Sequence, residues 1–304
     1  MNPLTGQIME ATLQREVFIE GVGLHSGKEV QLTCYPADPG TGIVFVRTDR
    51  GGIEIPATIA HTTPSLLSTT LTAHGASVRT VEHLLAAAYA MNLCNMVVTL
   101  SGPEVPILDG SIEPFVSLFL RAGVQEQDAA RRPLYVTEPI FIGERDRYIQ
   151  IYPAPALEIA YTIQYDHPAI GTQSFFYRHD REAFMYDVAP ARTFGFLKEV
   201  VSLQARGLAL GGSTENAVVL DDLGVLNKSG LRFPDEFVRH KIADLLGDIA
   251  LIGAPLQGHI VAHCSGHKLH TALTRAILMQ RHEHPPAPVH SFGQPVCPSA
   301  SYPA

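Results

Sequence analysis

The sequence predicts an α+β protein made of two similarly folded domains, and three observations carry that expectation. At 304 residues the chain exceeds one ordinary domain and divides naturally into two of about 130–150 residues. Stretches that alternate apolar and polar residues, the period of a half-buried strand, are interleaved with stretches of helical period. The order strand, strand, helix, strand, helix read in the first half recurs in the second, so each sheet carries helices on one face and the helices of the two halves face one another.

In chain order, EVQLTCYP (29–36) alternates apolar and polar, and GIVFVRTD (42–49) follows a Pro/Gly turn at 39–42, which reads as an antiparallel pair. A helix starts near Thr80, the strand NMVVTLSG (95–102) follows, and a second helix runs across Pro114 to Ala122. The boundary falls near 125–134, giving a first domain over 1–128 and a second over 134–282. The second half offers strands RYIQIYP (147–153) and LEIAYTIQY (157–165), a helix from Pro234, the strand GHIVAHCS (258–265) and a helix from Gly266 to Gln280. Residues 190–230 fall outside the repeat. Their glycines (GLALGGS, 207–213) and β-branched run (AVVLDD, 217–222) predict an inserted helix, turn and strand, and long inserts tend to carry function. The segment 283–304 is rich in Pro and small residues and reads as a loosely held tail.

A hydrophobic share of 46% with 17% charged residues describes an ordinary globular chain. The net charge of −8 provides no basic face for a phosphate backbone, so nucleic acid is not an expected partner. The amino terminus, MNPLTGQIMEATLQREVFIEG, has neither a basic leader nor an unbroken apolar run, which predicts a cytoplasmic location. The longest apolar run, Leu84 to Leu100, is interrupted by Asn92 and Asn95 and is too short to span a bilayer. Cys34, Cys94, Cys264 and Cys297 lie far apart with no CxxC pair, so any metal is expected on His and carboxylate.

TVEHLLAAA places Glu82 and His83 in the first turn of a helix, where free N–H groups and the positive end of the dipole favour a carboxylate. In PDEFVRHKIADLLGDIALIG, Val238, Ile242, Leu245 and Ile249 form a core-facing stripe, while His240, Asp244 and Asp248 recur four apart on another. Side chains at i and i+4 stand about 5–6 Å apart, close enough for an imidazole and a carboxylate to share one ion. Each motif alone has a commoner explanation: a dipole partner beside a satisfied histidine in the first, a His–Asp hydrogen bond within one turn in the second. The repeat changes the balance, because both motifs occupy the first long helix of their half. If the halves pack face to face, His83, His240 and Asp244 converge, and three protein ligands leave a position for water, the pattern of a catalytic zinc. Glu82, beside a ligand but not needed as one, is the candidate general base, with a fourth ligand as the alternative. For a general acid, SGHKLH (265–270) puts His267 at a strand-to-helix junction, with His259, His263 and His270 as competitors that composition does not separate.

The same residues lie within longer motifs: GVGLHSG (21–27), TVEHLLAA (80–87), PEVPILDGS (103–111), ARTFGF (191–196), GLALGGS (207–213), VLNKSGLRFPDEFVRHKIADLLGD (225–248) and SGH (265–267). In content and order these resemble the bacterial UDP-3-O-acyl-N-acetylglucosamine deacetylases, the zinc enzymes of the committed step of lipid A synthesis. The resemblance implies two two-layer α/β sandwich domains with helices packed between the two sheets. It implies one Zn2+ per chain on His83, His240 and Asp244, Glu82 as base and His267 as acid. It further implies that Asp248 orients His267 and keeps it cationic, that Lys241 is a nearby cation, and that the Thr193 hydroxyl helps to stabilise an oxyanion. Phe194 resembles a sugar-contacting ring and His25 a histidine near the substrate. The insert, roughly 196–225, maps onto a passage for an acyl chain, where Phe196, Leu197, Val200, Leu203, Leu208 and Leu210 are the candidate lining and Gly207 leaves room beside them.

Two departures accompany the match: Ser68 stands where many relatives carry a cysteine near the metal, and Cys264 stands where relatives often have a basic residue. Arg147 is the candidate replacement contact for the nucleotide phosphates. The expected activity is hydrolysis of the N-acetyl group of a UDP-sugar bearing an acyl chain, by a monomer, to the free amine and acetate. A nucleotide-sugar binding protein with a structural metal is the rival, motivated by GLALGGS and the His/carboxylate cluster, although that run lacks the strand-loop-helix setting and the lysine of a P-loop. A zinc peptidase fits less well, because no HExxH is present.

Overall fold

A computed structural model describes residues 8–65 and 67–283, the side chains of 281–283 excepted. Residues 284–304, nearly all of the expected tail, and Cys297 with them lie outside the described residues. The first half contains strands β1 (Ile8–Leu13), β2 (Val17–Val22), β3 (Glu29–Pro36), β4 (Ile43–Arg47), β5 (Ile53–Pro56), β6 (Thr62–Thr63), β7 (Thr70–Ala73) and β8 (Ala76–Val78). Helix α1 (Glu82–Ala90), β9 (Met96–Leu100), α2 (Glu113–Ala122) and β10 (Val124–Arg131) follow. The second half has β11 (Leu134–Tyr135), β12 (Ile140–Glu144), β13 (Arg147–Tyr152), β14 (Leu157–Gln164), β15 (Thr172–Arg178) and the short α3 (Arg181–Ala183). It continues with β16 (Phe194–Phe196), α4 (Leu197–Ala205), β17 (Val218–Leu220), α5 (Glu236–Ala250), β18 (Leu256–His263) and α6 (His267–Glu283).

The strands expected at 29–36 and 42–49 form, but they are not partners, and this corrects the hairpin expectation. The sheet order is β2-β3-β9-β4-β5, with β9 inserted between them, antiparallel to β3 (Cys34↔Val98) and parallel to β4 (Phe45↔Val98). Met96, Val98 and Leu100 of β9 are fully buried, so the centre of the sheet is where this strand removes most apolar surface from water. Strands lie about 4.8 Å apart, and the loop over 37–42 is long enough to step across one of them. The second half repeats the pattern as β12-β13-β18-β14-β15, with β11 beside β18: β18 is antiparallel to β13 (Ile149↔Ala262) and parallel to β14 (Ile159↔Ile260). Each central strand thus arrives last, after the helix that crosses the sheet. The segment 125–134, where the boundary was expected, is occupied largely by β10, which pairs antiparallel with β1 (Thr12↔Gln125) around a bulge at Met9/Ala11.

Every residue of α1 is buried, a pattern that belongs to a helix covered on all sides. On α5 the stripe of Val238, Ile242, Leu245 and Ile249 is completely buried. The layers therefore run sheet, helices, helices, sheet, with α1 against α5 at the centre and α6 alongside α5 over β12 and β13. The contact between α1 and α5 is backbone-close at Gly247, where an added Cβ would stand 2.1 Å from the Glu82 carbonyl oxygen. Only glycine fits there, and the approach sets how near the side chains of the two helices come. The insert forms as the sequence predicts, with β16 and β17 paired in parallel (Gly195↔Val219) and α4 between them. None of the α4 residues is buried, and Leu197, Val201 and Leu210 are largely exposed. Among the described residues no helix is long and apolar enough to cross a membrane.

Candidate active site

Glu82 and His83 open α1, while His240, Asp244 and Asp248 project from successive turns of α5. Because α1 and α5 meet at Gly247, these side chains share one buried space. His83 Nε2 lies 3.7 Å and His240 Nε2 3.3 Å from Asp244 Oδ1, and the three ligand atoms fall within 4.8 Å of one another. Bonds of about 2.0–2.1 Å at tetrahedral angles place ligand atoms about 3.3–3.5 Å apart, so this donor set fits a metal ion such as zinc. His240 is oriented from behind: its Nδ1 donates to the Ala191 carbonyl at 3.0 Å, leaving Nε2 as a lone-pair donor. His83 Nδ1 is buried with no hydrogen-bond partner, and burial lowers the pKa of this ring, keeping it in the neutral form that metal binding requires. Asp244 is opposed by burial, but Lys241 and His240 hold it well below the usual carboxylate range, Lys241 Nζ donating to Oδ2 at 2.7 Å. Burial would likewise lower Lys241, and Asp244 outweighs it and raises it.

Two further groups face the same space. Burial pushes Glu82 up to about 8; His267 pulls it down, while Asp244 and Asp248 push it up. His267 Nε2 stands 3.8 Å from Glu82 Oε1 and 4.0 Å from Asp244 Oδ2. Burial would lower His267, but the charge of Asp248 and its hydrogen bond, Nδ1 to Oδ2 at 2.8 Å, raise it to about 9. Asp248 is in turn held at about 2 against its burial by the charge and hydrogen bonds of His267 and by His270. The result is a buried carboxylate whose affinity for a proton is raised by burial, beside an imidazole whose proton is held by Asp248.

The structure therefore brings together seven of the residues singled out in the sequence: Glu82, His83, His240, Lys241, Asp244, Asp248 and His267. Phe194 borders them, its ring 5.9 Å from Lys241 Nζ and packed on Phe237 at 5.0 Å. Thr193 precedes it, half-buried, its N–H bonded to the Gly110 carbonyl at 2.8 Å. His25 is buried beside a cavity of about 770 Å³ that Ser68, Arg79, Gly207 and Leu208 also line; its Nδ1 accepts from the Ala209 N–H at 3.3 Å, and its Nε2 has no partner. Two further expected residues lie elsewhere in the structure. Leu203 is half-buried on α4 and is not among the residues lining that cavity, and Arg147 is exposed at the start of β13, opposite the strand end that leads to His267. Of the competing histidines, His259 pairs with Glu158 and His263 stacks on Tyr148, both away from the cluster.

Sequence reasoning missed Thr69 and Glu104, and named His270 only as a competitor of His267 for the general acid. Thr69 bonds to Glu82 and Asp248, and nothing in a run of Ser and Thr distinguishes it. His270 donates to Asp248 at 2.8 Å and meets the Tyr161 hydroxyl at 3.1 Å; its place one turn beyond His267 was the available signal. Glu104, fully buried, accepts from the N–H groups of His25 and Ser26 and from the Thr80 hydroxyl, tying the 21–27 loop to the start of α1.

The sequence model of the UDP-3-O-acyl N-acetylglycosamine deacetylases matches residues 10–279. The chain is 48% identical over 269 residues, 88% of each chain, to the UDP-3-O-acyl-N-acetylglucosamine deacetylase of Oleidesulfovibrio alaskensis. It is 46% identical to the enzyme of that name from Myxococcus xanthus, covering 88% of this chain and 86% of the relative. Against that of Acidithiobacillus ferrooxidans it is 44% identical, covering 90% and 91%. With a match that spans both sheets and every residue of the buried cluster, the chain belongs to the UDP-3-O-acyl N-acetylglycosamine deacetylase family.

Proposed function

We propose that the chain hydrolyses the N-acetyl group of UDP-3-O-acyl-N-acetylglucosamine, giving UDP-3-O-acyl-glucosamine and acetate, the committed step of lipid A biosynthesis. The observation that carries the reading is the junction of α1 and α5, where a two-histidine, one-aspartate donor set lies beside a carboxylate and a cationic imidazole 3.8 Å apart. His83, His240 and Asp244 would hold one zinc ion, which when bound would supply Lewis-acid polarisation of the amide carbonyl and acidification of the attacking water. Glu82 takes the proton of that water as a C–O bond forms at the carbonyl carbon. The Thr193 hydroxyl and Lys241 face the negative charge that develops on the carbonyl oxygen. His267, kept protonated by Asp248, delivers its proton to the sugar nitrogen as the C–N bond breaks, which releases the amine. His25 and Phe194 border the sugar, Arg147 meets the nucleotide phosphates, and Leu208, which lines the cavity beside His25, borders the acyl chain, with Leu203 of α4 a further apolar contact for that chain.

All the groups invoked come from one chain, which supports a monomer. The free thiols Cys34, Cys94 and Cys264 suit a reducing, cytoplasmic setting. The rival reading as a nucleotide-sugar binding protein loses one of its two motives, because the Leu210–Gly211 part of the glycine-rich run is bonded within the protein. Leu210 N–H and Gly211 N–H donate to the His25 and Leu24 carbonyls, and a Cβ at Gly211 would meet the Gly23 oxygen at 2.4 Å. The deciding experiment is acetate release from the UDP-sugar by purified protein with and without chelator. Release that chelation abolishes and added zinc restores is the expected result; no release, or release indifferent to chelation, rejects the proposal.

A further inference from the structure

Thr69 touches both members of the acid–base pair. Its N–H donates to Glu82 Oε2 at 2.9 Å, and its carbonyl accepts from the Val81 N–H at 3.4 Å, so its backbone is clamped to the start of α1. Its hydroxyl reaches across the junction to donate to Asp248 Oδ1 on α5 and lies 3.2 Å from His267 Nδ1. The other carboxylate oxygen, Asp248 Oδ2, is shared by His267 Nδ1 and His270 Nδ1, each at 2.8 Å. His270 is held from behind by the Tyr161 hydroxyl, and Thr69, Asp248, His270 and Tyr161 are all buried. One residue thus bonds the base directly and, through a carboxylate, sets the orientation of the acid.

We propose that Thr69 is a positioning residue of the acid–base pair, fixing Glu82 and His267 relative to each other across the seam between the two halves. The physical reason is the geometry of a carboxylate. Both His267 and His270 bind the same oxygen, so they resist sliding but leave rotation about the side-chain bond to be stopped by whatever holds Oδ1. The Thr69 hydroxyl holds it. Without the hydroxyl, a buried carboxylate oxygen loses its donor and the carboxylate turns to recover one, carrying the His267 ring with it. The 3.8 Å relation of His267 Nε2 to Glu82 Oε1 is then no longer enforced. Thr69 acts through these two residues, so its loss slows the chemical step and leaves substrate affinity alone.

The inference rests on the deacetylase reading, and its test separates the two. In the zinc-loaded protein, Thr69→Val, which keeps shape and backbone N–H, is expected to lower kcat roughly 10- to 100-fold with KM and metal content little changed, as for loss of an outer hydrogen-bond partner. Thr69→Ser, which restores the hydroxyl, is expected to recover most of the loss. A Val variant with normal kcat, a rise in KM at constant kcat, or a Ser variant no better than Val overturns the proposal. Thr69→Ala serves in place of Val if the latter does not fold. Independently of turnover, the downfield Nδ1 proton of His267 in the NMR spectrum of the metal-free protein should move or broaden in Thr69→Val and return in Thr69→Ser. Absence of acetate release by the unsubstituted protein counts against the deacetylase reading, and the proton resonance then decides: an unchanged signal in the Val variant overturns the role of Thr69.

Discussion

In the proposed mechanism Glu82 and His267 carry the proton transfers, while His83, His240 and Asp244 hold the metal. Removal of Glu82 or His267 therefore separates catalysis from metal binding. Glu82→Ala and His267→Ala are each expected to retain one zinc ion by metal analysis and to lose activity by roughly 10²–10⁴-fold, the range for a general acid or base. Normal turnover in either variant removes that residue from the mechanism. The periodicity of α5 made His240, Asp244 and Asp248 legible as one stripe, because helical geometry is local and 3.6 residues per turn are enough to compute it. Thr69 was illegible for the opposite reason: it meets Asp248 across 179 positions of sequence, and no local pattern encodes a contact of that span.

At the scale of elements, the α1–α5 crossing decides whether the ligands meet. Gly247 lies in the interior of α5, where alanine would normally favour the helix by about 0.5–1 kcal/mol. Here the added Cβ would press on the Glu82 carbonyl oxygen at 2.1 Å, and a backbone atom has no flexible end to swing away. Gly247→Ala is therefore expected to destabilise the protein by about 1–3 kcal/mol in denaturant unfolding and to weaken metal binding and turnover together, since α1 carries both His83 and Glu82. A variant of unchanged stability and activity contradicts the close crossing. The helices α1, α2, α5 and α6 and the strands β3, β4, β9, β13, β14 and β18 were readable from period and length, whereas β1, β2, β10, β12 and β15 were not. Nor was the pairing of strands: β3 and β4 look like a hairpin by loop and pattern, yet β9, arriving more than forty residues later, takes the place between them.

On the scale of the whole molecule, the buried charges couple folding to pH when the metal is absent. His267 has its proton held to about 9, above its ordinary 6.5, so its contribution to stability is complete below about pH 6.5 and is lost as pH rises through 9. Glu82, raised from 4.5 to about 8, acts in the same direction, because ionising it in the folded state is opposed by burial. Asp248, lowered from 3.8 to about 2, contributes fully above 3.8 and its share disappears as pH falls through 2. The thermal midpoint of the metal-free protein is thus expected to decline between pH 6.5 and 9; a flat or rising profile over that interval speaks against the charged Asp248–His267 pair. By itself the sequence determined the class of fold, the repeated order of elements, the faces of the helices and the types of residue available for a metal site. All of these follow from periodicity and side-chain chemistry within a few turns of chain. Only the tertiary structure decided which strand lies at the centre of each sheet, how closely α1 and α5 approach, and which groups surround Asp248. Those outcomes depend on burial and on contacts between segments remote in sequence, where the free energy belongs to the assembled core and to no single stretch of it.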